Sequence, residues 1–261
     1  MLLVDGHTHL HDHVDIKDFL SSASASLRQS SRTGNNVQIQ AALCLADFAG
    51  AEGFKRLSMA TAGKNLPGWQ TETTADDCSL CLTNNSGDRI WIIAGRQIVT
   101  REKLEVMALG TAEVLPDDLS LSAAIDAVAK CGAMPILPWG VGKWLGKRGG
   151  YIKSAMNDHG KHLALCDNGG RPWFWRPNIF PRARQMGITV ISGTDPLRIA
   201  SDCLRVGSFG QTFPGEIDQS PVKWIKEKIF KDGEKFHRFG KPMSIAGFAA
   251  RQYLLRKESR S

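Results

Sequence analysis

Four of the chain's seven histidines fall within seven residues, His7, His9, His11 and His13, directly after an apolar run, Leu2-Leu3-Val4. An extended strand throws alternate side chains to one face, so His7 and His9 point the same way. Two imidazoles side by side at a strand end form half of a divalent metal site of the zinc, manganese or iron type. The preceding strand and the interruptions by Thr8, Leu10 and Asp12 set the cluster apart from an expression tag. His11 and His13 lie beyond the expected end of the strand, where surface or supporting roles suit them. A His-x-His pair also arises by chance, so a metal site needs a further ligand from elsewhere in the chain.

Asp195 is the candidate. It follows the apolar run Ile188–Ser192 after Gly193 and Thr194, and a carboxylate there would complete a three-ligand site with His7 and His9. The competing role is capping of a helix that starts after Pro196. Asp167 and Asn168 end another strand-like run, where they could serve as a ligand or general base, or form a turn with Gly169 and Gly170. The loop Pro138–Gly149 combines features of an anion site: four glycines for close backbone approach, Lys143, Lys147 and Arg148 for charge, and Trp139 and Trp144 as flat walls. It does not match the P-loop pattern. A tryptophan-anchored surface loop is the alternative.

The elements that must position these groups alternate. Leu2–Asp5 reads as a strand, Asp15–Arg32 as a helix with Asp15 at its N-cap, 37–45 as a strand and Glu52–Ala62 as a helix. Ser79–Thr83 and Arg89–Val99 are strand-like around the turn residues 84–88, which predicts a β-hairpin. The strand Leu104–Leu109, the helix Ser120–Cys131 closed by Gly132, and the strands Ala133–Leu137, His162–Cys166 and Ile188–Ser192 follow. Such alternation predicts a parallel sheet with crossover helices. A closed barrel is favoured over an open sheet, because closure brings the first and last strands together and gathers their ends in one mouth. The barrel is expected over residues 1–215, with a basic helical extension over 216–261 packed on the same domain.

The 261 residues and 42% apolar composition are those of a folded globular protein. No run approaches the about 18–20 apolar residues of a membrane span, and no secretory leader precedes the first strand, so a cytoplasmic protein is expected. Cys44 and Cys166 sit in apolar runs as small buried residues. Cys78-x-x-Cys81 lacks the second pair that a zinc knuckle needs. From Glu216 onward eleven basic residues face six acidic ones, giving +5 of the net +7. That tail could meet a polyanion, or simply be a solvated helix face. No nucleic-acid motif accompanies it, and the oligomeric state is not legible.

The order of these motifs resembles the PHP (polymerase and histidinol phosphatase) superfamily of metal-dependent phosphoesterases, itself similar to the amidohydrolases. The resemblance rests on Val4–His9, on Gly95–Thr100 leading to Leu109-Gly110, on Ala124–Gly140, and on Gly193–Leu197. It implies a distorted (β/α)7 barrel, PHP-like and of TIM type, with up to three divalent metals. Gln97, Trp139 and Leu197 replace family ligands, which leaves His7, His9 and Asp195 for one metal. With one metal, another group must act as base or charge stabiliser. Asp167 and Lys143 are the catalytic candidates, and Arg96, Lys143, Lys147, Arg148 and Arg171 would hold a small anionic substrate. The expected function is hydrolysis of a phosphoester with one zinc, manganese or iron ion. The alternative is an inactive relative without metal that binds a ligand or partner.

Overall fold

Strands and helices succeed one another as β1 (Leu2–Thr8), α1 (Ile16–Ser31), β2 (Gln40–Leu45), α2 (Gly53–Ala62), β3 (Trp69–Glu72), β4 (Ser79–Asn84), β5 (Arg89–Ile93), β6 (Gly95–Val99), β7 (Glu105–Leu109), α3 (Leu121–Lys130), β8 (Met134–Pro138), α4 (Gly146–His159), β9 (Ala164–Asp167), α5 (Ile179–Gln185), β10 (Val190–Ser192), α6 (Ala200–Cys203), β11 (Gly210–Phe213), α7 (Pro221–Phe230), β12 (His237–Phe239) and α8 (Ile245–Glu258). This computed structural model describes residues 1–31, 37–63, 65–230 and 236–258, with side chains as far as residue 254. The expected helix end at Arg32, and Lys231, Asp232, Glu234, Lys235 and Arg260 of the basic tail, lie outside the described residues.

The strands form two mixed sheets, one of seven in the order β12-β11-β1-β2-β5-β4-β3 and one of five in the order β10-β9-β8-β7-β6. The expected closed (β/α)7 barrel is therefore wrong. A strand has two edges, and both edges of β1 are taken, by β2 in parallel and by β11 antiparallel. β10 consequently has no edge of β1 to pair with. β11 was not anticipated, because Gly210–Phe213 is short and precedes the basic tail. The long strand expected over Arg89–Val99 is also two strands in different sheets. Ala94 and Gly95 make the crossing, and a Cβ on Gly95 would lie 2.4 Å from the Leu45 carbonyl oxygen. The expected hairpin is present as antiparallel β4 and β5, with Asn84 Oδ1 accepting from the amides of Ser86 and Asp88.

Alternation of side chains assigns each face. Leu2, Val4, Ala42, Cys44, Trp91 and Ile93 from the larger sheet meet Met107, Met134, Ile136, Ala164, Cys166 and Ile191 from the smaller. The opposite face of the larger sheet, with Leu3, Ala41, Leu43, Ile90 and Ile92, is covered by Phe19, Leu20 and Leu27 of α1 and Leu57 of α2. The outer face of the smaller sheet packs on α3, α4 and α5 through Ile125, Val128, Ile152, Met156 and Phe180. Helix termini follow their sequence signals. Asp15 Oδ1 accepts from the amides of Lys17 and Asp18, and Ser120 caps α3 by accepting from the Ala123 amide. Among the described residues no helix is long and apolar enough to cross a membrane.

Although unpaired as strands, the sheets are joined by main-chain hydrogen bonds as well as by the core packed between them. The Asp195 amide donates to the His7 carbonyl at 2.8 Å, and Asp47 bridges β6 by donating to Gly95 and accepting from the Gln97 amide, each at 2.9 Å. These contacts set the end of β1 against both margins of the smaller sheet.

Candidate metal centre

β1 is buried on both faces throughout, as befits a central strand. Its one carboxylate, Asp5, accepts from the Thr194 amide at 2.9 Å, the Thr194 hydroxyl at 2.6 Å, the Gly207 amide at 2.9 Å and the His7 amide at 3.3 Å. Burial raises its pKa to about 6 against the opposing pull of these donors. Asp5 thus ties the segment after β10 to the strand that carries His7. The approach is close, since a Cβ on Gly193 would lie 2.2 Å from the His7 amide nitrogen.

That tie delivers Asp195 to the two histidines. His7 Nε2 and His9 Nε2 are 3.1 Å apart, His9 Nε2 is 3.1 Å from Asp195 Oδ1, and His7 Nε2 is 3.7 Å from the same oxygen. The His9 Nδ1 lies 2.6 Å from the Ala46 carbonyl oxygen. A carbonyl only accepts, so Nδ1 carries the proton, and in the neutral ring Nε2 presents a lone pair to His7 and Asp195. Burial pushes His7 down to about 4, against the attraction of Asp195, so its ring is neutral at neutral pH. Burial alone would raise the Asp195 carboxyl. The adjacent His7 and His9 rings outweigh that and hold it well below the usual carboxylate range, with Arg251 assisting.

Asp195 has φ +43°, a left-handed conformation that costs a non-glycine residue free energy. Its surroundings fix it there. The Asn168 amide nitrogen donates at 2.7 Å to Asp195 Oδ2 and at 2.7 Å to the Trp139 carbonyl, and Arg251 donates at 2.7 Å to the Asp195 carbonyl oxygen. The helix-capping alternative for Asp195 fails, because the next helix starts at Ala200 with Ile199 before it. Gln97 Oε1 sits 3.2 Å from His7 Nε2. Gln97 is therefore in contact with the group, as a neutral oxygen. The His11 ring stacks on that of His9 with centroids 5.5 Å apart, and its Nε2 donates to the Pro196 carbonyl at 2.9 Å. His13 is exposed.

The other expected site residues are placed elsewhere. Asp167 Oδ2 is paired with Arg171 at 2.5 Å and Arg238 at 3.0 Å, and its Oδ1 accepts from the Gly169 amide. Its carboxylate lies with those arginines and not with the His7, His9 and Asp195 donors. The turn alternative for Asp167 and Asn168 is realised at the same time, with Asn168 Oδ1 accepting from the Gly170 amide. Lys143 forms an ion pair with Glu105, yet its charge still reaches His7 and helps to lower its pKa. Arg96 donates to the Ala51 carbonyl and Arg148 to the Gly142 carbonyl. Lys147 is exposed on α4. Trp139 is buried and Trp144 nearly so, in the core beneath α4. Cys78 and Cys81 are free thiols. Asp5, Arg238 and Arg251 were missed. Asp5 was read only as part of a strand, and the two arginines were lost among the charges of a tail that resembles a solvated face.

No protein-family model matches the chain, and no curated protein matches it. Among solved structures it is similar to PsfC from Pseudomonas syringae PB-5123, with a TM-score of 0.57 and 15% identity over 98% of each chain. That likeness describes the fold.

Proposed function

We propose that this chain is a metal-dependent hydrolase in which His7, His9 and Asp195 hold one divalent zinc, manganese or iron ion, and that its substrate is a phosphoester. The observation that carries the proposal is the arrangement of donors. With His9 protonated at Nδ1, its Nε2 lone pair faces a carboxylate oxygen at 3.1 Å. Two acceptors at that separation repel unless a metal ion or a second proton on Nε2 lies between them, and the His7 Nε2 converging on the same oxygen favours the metal ion. A tetrahedral ion with ligands at about 2.0–2.1 Å spaces its donors about 3.3 Å apart. The three separations of 3.1, 3.1 and 3.7 Å bracket that value.

When bound, such an ion would act as a Lewis acid and acidify a water. The chain's own residues do the rest. Ala46 O fixes the His9 tautomer, a common support for a ligating histidine. Asn168 aims the Asp195 carboxylate, and the Gln97 oxygen can accept from a hydroxyl or water beside His7. The Lys143 ammonium supplies positive charge within electrostatic reach. The substrate class rests on the resemblance of the Val4–His9 motif to PHP phosphoesterases.

The test is metal content by mass spectrometry on protein prepared without chelator or histidine tag, with hydrolysis of p-nitrophenyl phosphate measured under added Zn²⁺ or Mn²⁺. One ion per chain, lost with activity in the His7→Ala, His9→Ala variant, is expected. A metal-free protein that stays inactive with either ion overturns the proposal and leaves a ligand-binding protein in its place.

A further inference from the structure

A cavity of about 380 Å³ opens beside the loop after β9, and its walls carry four arginines, Arg171, Arg176, Arg184 and Arg238, against a single carboxylate, Asp167. None of the residues lining it belongs to the His7, His9 and Asp195 group. Asp167 and Asn168 are successive residues, but the Asn168 side chain serves Asp195 while the Asp167 side chain serves this cavity. The two sites are thus built back to back on one strand end.

Arg171 forms the floor. It is 4% exposed, and its guanidinium lies 5.8 Å from the Trp139 and Phe180 ring centroids. One Nη donates to Asp167, but the buried Nε has no hydrogen-bond partner. A buried guanidinium N–H without an acceptor is costly, and a ligand oxygen would satisfy it. Arg238 shares the same Asp167 oxygen from β12. Arg176 and Arg184 make no ion pair among the described residues. Arg184 reaches the surface, yet partial desolvation at the cavity wall and the nearby Arg238 charge both press against its ionisation, which marks the surplus of positive charge. One carboxylate cannot balance four guanidinium groups. The fork geometry of arginine matches a tetrahedral oxyanion. The remaining wall is apolar, with Phe180 and the prolines Pro177, Pro181 and Pro242, and Trp173 stands exposed at the rim. The volume exceeds that of a bare phosphate and falls in the range of small-molecule sites, about 300–1,000 Å³.

We propose that this cavity is a second, anion-binding site, which takes an organic molecule through a phosphoryl-type dianion held by Arg171, Arg176, Arg184 and Arg238, with its carbon portion against Phe180 and Trp173. The site does not depend on the metal proposal. It is tested by calorimetric titration of chelator-treated full-length protein with inorganic phosphate, phenyl phosphate and benzoate, with tryptophan fluorescence in parallel. Phenyl phosphate is expected to bind at least tenfold more tightly than either inorganic phosphate or benzoate, and to weaken as salt is raised. The Arg176→Ala, Arg184→Ala variant, whose side chains lie on the surface, should lose at least tenfold in affinity. Trp173→Phe should remove the fluorescence change, and His7→Ala, His9→Ala should leave binding within twofold. No phenyl phosphate binding, equal binding of benzoate, or insensitivity to the arginine substitutions overturns the proposal. Loss of binding in the histidine variant also does so, by moving the anion to the other cluster.

Discussion

Replacing Asn168 by Ala separates support of Asp195 from ligation itself. The Asn168 amide nitrogen makes two hydrogen bonds of 2.7 Å, one to the ionised Asp195 Oδ2 and one to the Trp139 carbonyl. A bond to a charged group contributes about 1.5–3 kcal/mol and a neutral one about 0.5–1.5 kcal/mol. The substitution leaves both acceptors without this donor, so a destabilisation of about 2–4 kcal/mol is expected. With a urea slope of about 2–3 kcal/mol/M, the unfolding midpoint of metal-free protein should fall by about 1 M. Asp195 also holds a left-handed backbone, which Asn168 helps to pin. Releasing it should weaken zinc binding by about 10–100-fold, the usual cost of losing a partner behind a ligand. Urea unfolding followed by circular dichroism reads the first effect, and competition with a chromogenic chelator reads the second. A variant within about 0.5 kcal/mol and twofold of the parent would refute the account of how Asp195 is aimed.

Gly193→Ala should be among the most damaging single changes. The added Cβ would lie 2.2 Å from the His7 amide nitrogen and 2.7 Å from its Cβ, so backbone must move, and a loss of about 3 kcal/mol or more is expected in thermal unfolding. The His11 pKa is lowered from 6.5 to about 4, chiefly by burial. Its stabilising effect is therefore complete above pH 6.5 and is lost as pH falls toward 4, up to about 3 kcal/mol. Metal-free His11→Gln, which keeps a donor toward Pro196, should lose less stability than the parent between pH 6.5 and 4. Parallel curves in urea unfolding would refute this origin.

The alternation of strand and helix was legible because apolar periodicity and turn residues are local. Ser120, Gly132 and residues 84–88 act within a few positions, and each did what its chemistry predicts. Pairing of strands is not local. Nothing in Gly210–Phe213 announces that it takes the free edge of β1, and that choice is what turns an expected ring into two sheets. The histidines and Asp195 could be read because a strand end and a following turn leave few directions for a side chain. The surroundings of Asp167 were hidden for the opposite reason. Its partner Arg238 comes from a strand near the far end of the chain, and spacing alone does not reveal such a contact.

The donors near Ala46 and Asn168 belong to different layers: His7 and His9 ride on the larger sheet, while Asp195 leaves the smaller one. No ladder joins β1 to β10, so the seam between them is held by Asp5, Gly193 and a single main-chain bond. Any cation lodged there would work as a rivet. Prying the layers apart and releasing the cation would be the same event, and occupancy would raise resistance to opening in step with free ion concentration.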